Sequence, residues 1–90
     1  MDYQIDKSFI RDVKKAPLSI QREVAVILND LKAASKISDL SKVKKLSGSK
    51  NAFRIRIDNF RMGFYLEDGV IVLSRLLSRK EIYRYFPRNR

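Results

Sequence analysis

Three arginines in the middle of the chain are spaced to meet. Arg54 and Arg56 alternate with Phe53, Ile55 and Ile57, and Arg61 alternates with Phe60, Met62 and Phe64. Period-two alternation puts the apolar set on one face of a strand and the arginines on the other. Asp58-Asn59 reads as a short turn between the two runs. A two-residue loop there pairs Ile57 with Phe60, Arg56 with Arg61, Ile55 with Met62, Arg54 with Gly63 and Phe53 with Phe64. Every rung of the apolar face then matches, and a slip of one residue would turn all these side chains over. Arg56 and Arg61 become direct cross-strand partners, a like-charge pairing that costs roughly 0.2–1 kcal/mol. A sheet face shaped for stability alone would hold Thr, Val or Glu there. Guanidinium groups offer planar forks that grip phosphate bidentately. The competing reading is a solvated face whose arginine stems cover the strands. The opposed pair and the shortage of acidic neighbours in the strands favour phosphate binding.

Other polar groups extend this picture. Lys42, Lys44, Lys45 and Lys50 cluster just before the hairpin. They suit an RNA backbone or, equally, a solvated loop. Arg79 and Tyr83 lie four residues apart near the C-terminus and share one face of a helix there. Ile82 and Phe86 share another face and are expected to dock on the core. Arg75 has the parity of the apolar face and is expected to emerge at a strand end. Asp2, Asp6 and Asp12 have no metal-ligand spacing, and no phosphate-cradling glycine loop is present. Neither a metal nor a cofactor is expected.

Composition narrows the chemistry. The 90 residues include no Cys and no His. That excludes disulfide scaffolds, thiol catalysis and the serine–histidine hydrolases, and removes the commonest general base. The formal net charge is +10, which suits a polyanion or an acidic protein as partner. Residues 1–41 carry seven basic and six acidic side chains, whereas residues 42–90 carry thirteen and four. A surface adapted only for solubility would intersperse its charges. The first residues lack the apolar segment of a signal peptide, and no apolar run approaches the ~20 residues of a membrane helix. A cytoplasmic protein is expected.

The arginine hairpin needs a scaffold, and the rest of the chain supplies one. Tyr3-Gln4-Ile5 sits in a short strand over 2–5. Phe9, Ile10 and Val13 fit a helix over 8–15. Ile20, Val24, Ile27, Leu28 and Leu31 form a helical stripe over 17–34, with Pro17 in its first turn. Residues 35–51 read as a long connection. Strands follow over 52–57, 60–66 and 70–77, the last two joined by Asp68-Gly69. That turn sets Tyr65 opposite Val72 and Gly63 opposite Ser74. Ser78 and Glu81 have capping-box spacing for a closing helix to about Phe86. The order βααβββα in one domain over 1–90 is an α+β fold. Its sheet is mainly antiparallel, with two N-terminal helices on one face and a short C-terminal helix.

This order, the Lys-Lys-Leu-Ser-Gly run at 44–48, FRIRIDNFRMGFY at 53–65 and SRKEIYRYF at 78–86 together resemble the RelE/ParE toxins of bacterial type II toxin–antitoxin pairs. The resemblance covers nearly the whole chain and is most specific over 44–86. It implies one of two activities. RelE-like members bind the ribosomal A site and cut mRNA there. ParE-like members share the fold and poison DNA gyrase without cutting RNA. In the nuclease branch Arg54 and Arg56 match the paired basic strand positions, Arg61 the following strand arginine, Arg79 the arginine before the last element, and Tyr83 the C-terminal tyrosine. Tyr85 competes with Tyr83, and Ser78 stands where some relatives have His. The implied partners are a small acidic antitoxin and either the ribosome with its mRNA or gyrase. A non-toxic RNA-binding module is the third reading. A nuclease of this kind works by attack of the ribose 2′-OH on the adjacent phosphate. The arginines would stabilise the phosphorane and Tyr83 would accept the proton.

Overall fold

The hairpin that pairs Arg56 with Arg61 lies inside a five-stranded sheet. The computed structural model describes residues 1–88. It contains β1 (Tyr3–Ile5), α1 (Lys7–Lys15), α2 (Leu18–Ala33), β2 (Val43–Lys45), β3 (Ala52–Ile57), β4 (Phe60–Glu67), β5 (Val70–Ser78) and α3 (Ile82–Tyr85). The sheet order is β1-β5-β4-β3-β2. β1 runs parallel to β5 and the remaining pairs are antiparallel. The fold is the expected α+β arrangement. The β3–β4 register is the expected one at every rung, with Arg56 opposite Arg61 and Arg54 opposite Gly63. Both turns carry backbone suited to tight hairpins, with positive φ at Asp58, Asp68 and Gly69.

Two apolar layers hold the sheet. Phe9, Ile20, Val24 and Leu31 of the N-terminal helices pack against Ile55, Ile57, Met62, Phe64, Ile71, Leu73 and Leu76. Each large side chain buried this way contributes roughly 1.5–3 kcal/mol. The other face carries a second, smaller cluster of Leu46, Ala52, Tyr65, Val72, Ile82 and Phe86. The closing helix therefore docks on the face opposite α1 and α2. Among the described residues no helix is long and apolar enough to cross a membrane.

Three expectations are corrected. Residues 35–51 hold a 3-10 turn at Ile37–Asp39 and the edge strand β2, so Lys44 and Lys45 sit on a strand and not in a connection. Three residues, two of them lysines, give no alternation to read, and lysines are what sheet edges carry against unwanted pairing. Second, the register of β4 against β5 shifts between Gly63 and Phe64. Phe64 faces Leu73, while Gly63 faces Arg75 and not Ser74; Tyr65 opposite Val72 is as expected. The one-residue bulge moves Arg75 onto the face of Gly63 in mid-strand and gives the inner position to Leu76, which is buried. The run Val70–Leu77 is nearly all apolar, so a change of parity within it leaves no trace in the pattern.

Third, the capping box does not start the closing helix. Ser78 ends β5 opposite Phe60, and the Arg79 N–H donates to the Asn59 carbonyl at 2.7 Å. The sheet uses this backbone, and the helix begins only at Ile82. Ser78 Oγ still reaches Glu81 Oε1 at 3.4 Å.

α1 takes the place of a strand where β1 stops. β1 pairs with β5 only as far as Leu73. Beyond it, the Asp6 N–H donates to the Leu73 carbonyl at 2.9 Å and Ser8 Oγ to the Ser74 carbonyl at 2.7 Å. The Leu76 N–H donates to Asp12 Oδ2 at 2.9 Å. Side chains of a helix thus satisfy strand groups that would otherwise be buried without partners.

Candidate nucleic-acid interface

The outer face of the sheet divides into rows. Leu46 donates its N–H to the Ala52 carbonyl, and Ala52 faces Tyr65, which faces Val72. This apolar row lies under Ile82 and Phe86. The next row is Lys44, Arg54, Gly63, Arg75, and the one beyond it Arg56, Arg61, Leu77. α3 covers the first row and leaves arginines of the other two exposed or half-buried, with Arg79 and Tyr83 exposed beside them.

Gly63 makes this seating possible. A Cβ built there would stand 2.7–2.8 Å from three atoms of the Phe86 ring. The same ring lies 5.0 Å from Tyr65, tilted by 56°. Tyr65 Oη in turn accepts the Arg88 N–H at 2.6 Å. The space left by the missing side chain of Gly63 is therefore filled by the C-terminal segment.

Arg61 is the centre of the cationic surface. Its Nη1 donates to the carbonyls of Asp58 at 2.8 Å and Phe60 at 2.9 Å, folding the side chain back over the hairpin turn. Its pKa is lowered, first by burial and next by the positive charge of Arg54. Arg56 and Arg79 act in the same direction, while Tyr83 opposes them. Four of the residues expected to carry catalysis, Arg54, Arg56, Arg79 and Tyr83, thus each act on the fifth, Arg61. The fold brings them together from β3, β4, the turn after β5, and α3. Among the described residues none of the four arginines forms an ion pair.

Arg54 donates from Nη1 to the Lys42 carbonyl at 3.0 Å, and its Nε is buried without a hydrogen-bond partner. The same carbonyl accepts the Arg56 N–H at 3.3 Å. The unusual backbone of Lys42, with φ 61°, thereby ties both strand arginines to the entry of β2. The four lysines expected to bind RNA are all exposed. Lys44 shares the outer face with Arg54, whereas Lys45 faces Phe53 across the strands and belongs to the other face. Lys50 lies in the loop before β3.

The two C-terminal tyrosines part company. Tyr83 is 57% exposed and acts on Arg61. Tyr85 lies 5.1 Å below the guanidinium of Arg75. Arg75 forms a bidentate pair with Asp12, Nε to Oδ2 at 2.7 Å and Nη2 to Oδ1 at 3.2 Å. That hydrogen bond raises the Arg75 pKa against the opposing effect of burial. The sequence reading missed the Asp12–Arg75 pair. Its only trace was a charged residue at an apolar position of β5, and the partner lies 63 residues away.

This face can bind phosphate, stabilise negative charge developing on it, and offer one phenol oxygen. Among the described residues no cluster of side chains suits a metal ion.

No family model matches the sequence. A curated toxin named RelE3 from Methanocaldococcus jannaschii is 35% identical over 82 residues, which span 90% of this chain and 93% of that one. The toxin in the crystal structure of the RelB–RelE antitoxin–toxin complex from Methanococcus jannaschii superposes with a TM-score of 0.79. It is 33% identical, over 92% of this chain and 98% of that one. The isolated E. coli RelE toxin, 16% identical, shares the fold with a TM-score of 0.69 over 92% of this chain and 90% of its own. Identity at this level along nearly the full length of both sequences shows that the chain belongs to the RelE family of toxins.

Proposed function

We propose that this chain is the toxin of a type II toxin–antitoxin pair and acts in the cytoplasm as a ribosome-dependent mRNA endoribonuclease. The observation that carries this reading is the open arginine face, with Arg56 directly opposite Arg61 and Arg54 on the adjoining row, in a member of the RelE family.

In this reading the scissile phosphate lies on the open arginine rows. Arg54, whose buried Nε lacks a partner, and Arg56 hold its non-bridging oxygens. Tyr83, in its phenolate form, takes the proton of the ribose 2′-OH and becomes the phenol. The 2′-oxygen bonds to phosphorus, the bond from phosphorus to the 5′-oxygen breaks, and the products are a 2′,3′-cyclic phosphate and a 5′-hydroxyl. Arg61 and Arg79 stabilise the phosphorane and the departing oxygen, which takes a proton from solvent. Fixed guanidinium groups aimed at developing charge are usually the largest catalytic contribution. With no His in the sequence, the face lacks a base whose ordinary pKa lies near neutrality, so free RNA is a poor substrate. A ribosome that holds the mRNA in register supplies the missing orientation.

The net charge of +10 suits a small acidic antitoxin as the cognate partner, seated over the basic surface. The M. jannaschii RelE relative was crystallised with the antitoxin RelB.

Expression of the chain alone tests this reading. Growth should arrest with a fall in amino-acid incorporation, and co-expression of the acidic product of a neighbouring gene should relieve it. Undisturbed growth at full expression of folded protein would overturn it, as would arrest through gyrase-dependent DNA breaks with mRNA intact.

A further inference from the structure

α3 has four residues, too few to hold a helix by itself. Its seat must come from what it touches. Ile82 and Phe86 supply an apolar anchor on the outer-face cluster. That anchor, with the hydrogen bonds between Tyr65 Oη and the Arg88 backbone, sets the depth and the buried face of the short helix on its Phe86 side. A contact on the side of β5 comes from Tyr85, which lies against the guanidinium of Arg75.

Arg75 is itself held from a distance. A cleft of about 350 Å³ lies between α1 and α3, lined among others by Lys15, Phe60, Ser78 and Glu81. Arg75 also lines it, with Asp12 on one side and Tyr85 on the other. The bulge in β5 brings Arg75 onto the outer face. Asp12 is only 8% exposed and spends both carboxylate oxygens on β5, accepting the Leu76 N–H as well as the two guanidinium bonds. One carboxylate therefore pins the bulge and orients the guanidinium whose plane supports Tyr85. Arg is suited to this and Lys is not, since only a planar fork can pair bidentately and stack on a ring together.

We infer that Asp12 is a positioning residue for the RNA-facing tyrosine. Through Arg75 and Tyr85 it sets the orientation of α3, and so the place of Tyr83 beside Arg61. The catalytic consequence rests on the nuclease reading of this face; the geometric part stands without it.

Two measurements test the chain of contacts in Asp12→Asn, Arg75→Lys and Tyr85→Ala, with Tyr85→Phe as the variant that keeps the ring. The first is the NMR resonances of the Tyr83 ring and the Arg61 side chain in the free protein. Asp12→Asn and Arg75→Lys, both remote from Tyr83 in sequence, should displace them while the methyl resonances of the inner core stay in place. The second is cleavage on programmed ribosomes. The rate constant kcat should fall about 10- to 100-fold, the scale of a small misplacement relayed from a distance. KM should stay within about twofold, because the phosphate-binding arginines are untouched. Tyr85→Phe should match wild type in both. If Asp12→Asn does not fold, the exposed Tyr85→Ala decides the matter. Unchanged Tyr83 and Arg61 resonances in folded variants would overturn the inference, as would unchanged kcat or a loss confined to KM. If the wild type itself does not cleave, the nuclease reading fails and the resonances alone decide.

Discussion

Arg56 and Arg61 stand directly opposite one another on the outer face of the β3–β4 hairpin, and among the described residues neither forms an ion pair. The pair opposes stability on Coulombic grounds, so its presence points to use. Removing one member separates function from fold. Arg61→Ala relieves the repulsion, worth roughly 0.2–1 kcal/mol. It also loses two hydrogen bonds to turn carbonyls, worth a similar amount each. Thermal unfolding should place the variant within about 1 kcal/mol of wild type, while mRNA cleavage falls by roughly 100-fold or more.

Tyr83 and Tyr85 differ by two positions and have different neighbours. Tyr83→Phe removes the oxygen proposed to take the 2′-OH proton and should slow cleavage by about 10²–10⁴ with little change in unfolding. Tyr85→Phe keeps the ring beneath Arg75 and should leave the rate intact. Single-turnover cleavage by the two variants side by side checks both expectations.

Gly63 lies beneath Phe86 at a separation that no methyl group can share. Gly63→Ala forces the ring, and α3 with it, off the sheet. A loss of about 1–3 kcal/mol is expected from chemical denaturation, the usual cost of overpacking. Cleavage should fall with it. Adding Phe86→Leu should return part of the stability, because the smaller side chain makes room for the new Cβ.

The lysines separate by face. Lys44 stands beside Arg54 and Lys45 on the opposite side of the same short strand. In binding to a single-stranded oligonucleotide, Lys44→Ala should weaken affinity and reduce the slope of log K against log salt by about 0.7, the value for one lost phosphate contact. Lys45→Ala should leave the slope near that of wild type. Titrations at several salt concentrations read both.

The site could be foreseen as far as it did because its core is local. A two-residue turn joins two strands of clear alternation, so the arginine pairing follows from parity and adjacent sequence alone. The helical stripe of α2 was equally plain, because Ile20, Val24 and Leu31 recur at one face of a 3.6-residue period and are the residues it buries. What escaped was non-local or unpatterned. The bulge at Ser74 lies in a strand too apolar to show parity, and it carries Arg75 to a partner 63 residues away. β2 is too short to alternate. The closing helix begins late because Ser78 and Arg79 are claimed by Phe60 and Asn59 of the sheet, a competition that a capping pattern does not record. The shared face of Arg54, Arg56 and Arg61 follows from alternation, whereas the pairing of Arg75 with Asp12 in α1, on which the inferred setting of Tyr83 rests, has no mark in the local sequence.

The most direct test is primer extension on an mRNA translated in a reconstituted system, with wild-type protein beside Arg61→Ala. The account predicts discrete cuts at codons in the ribosomal A site for wild type, none on the same mRNA without ribosomes, and their near-complete loss in the folded Arg61→Ala variant. An uncut message with folded wild-type protein, or equal cutting by Arg61→Ala, would contradict it.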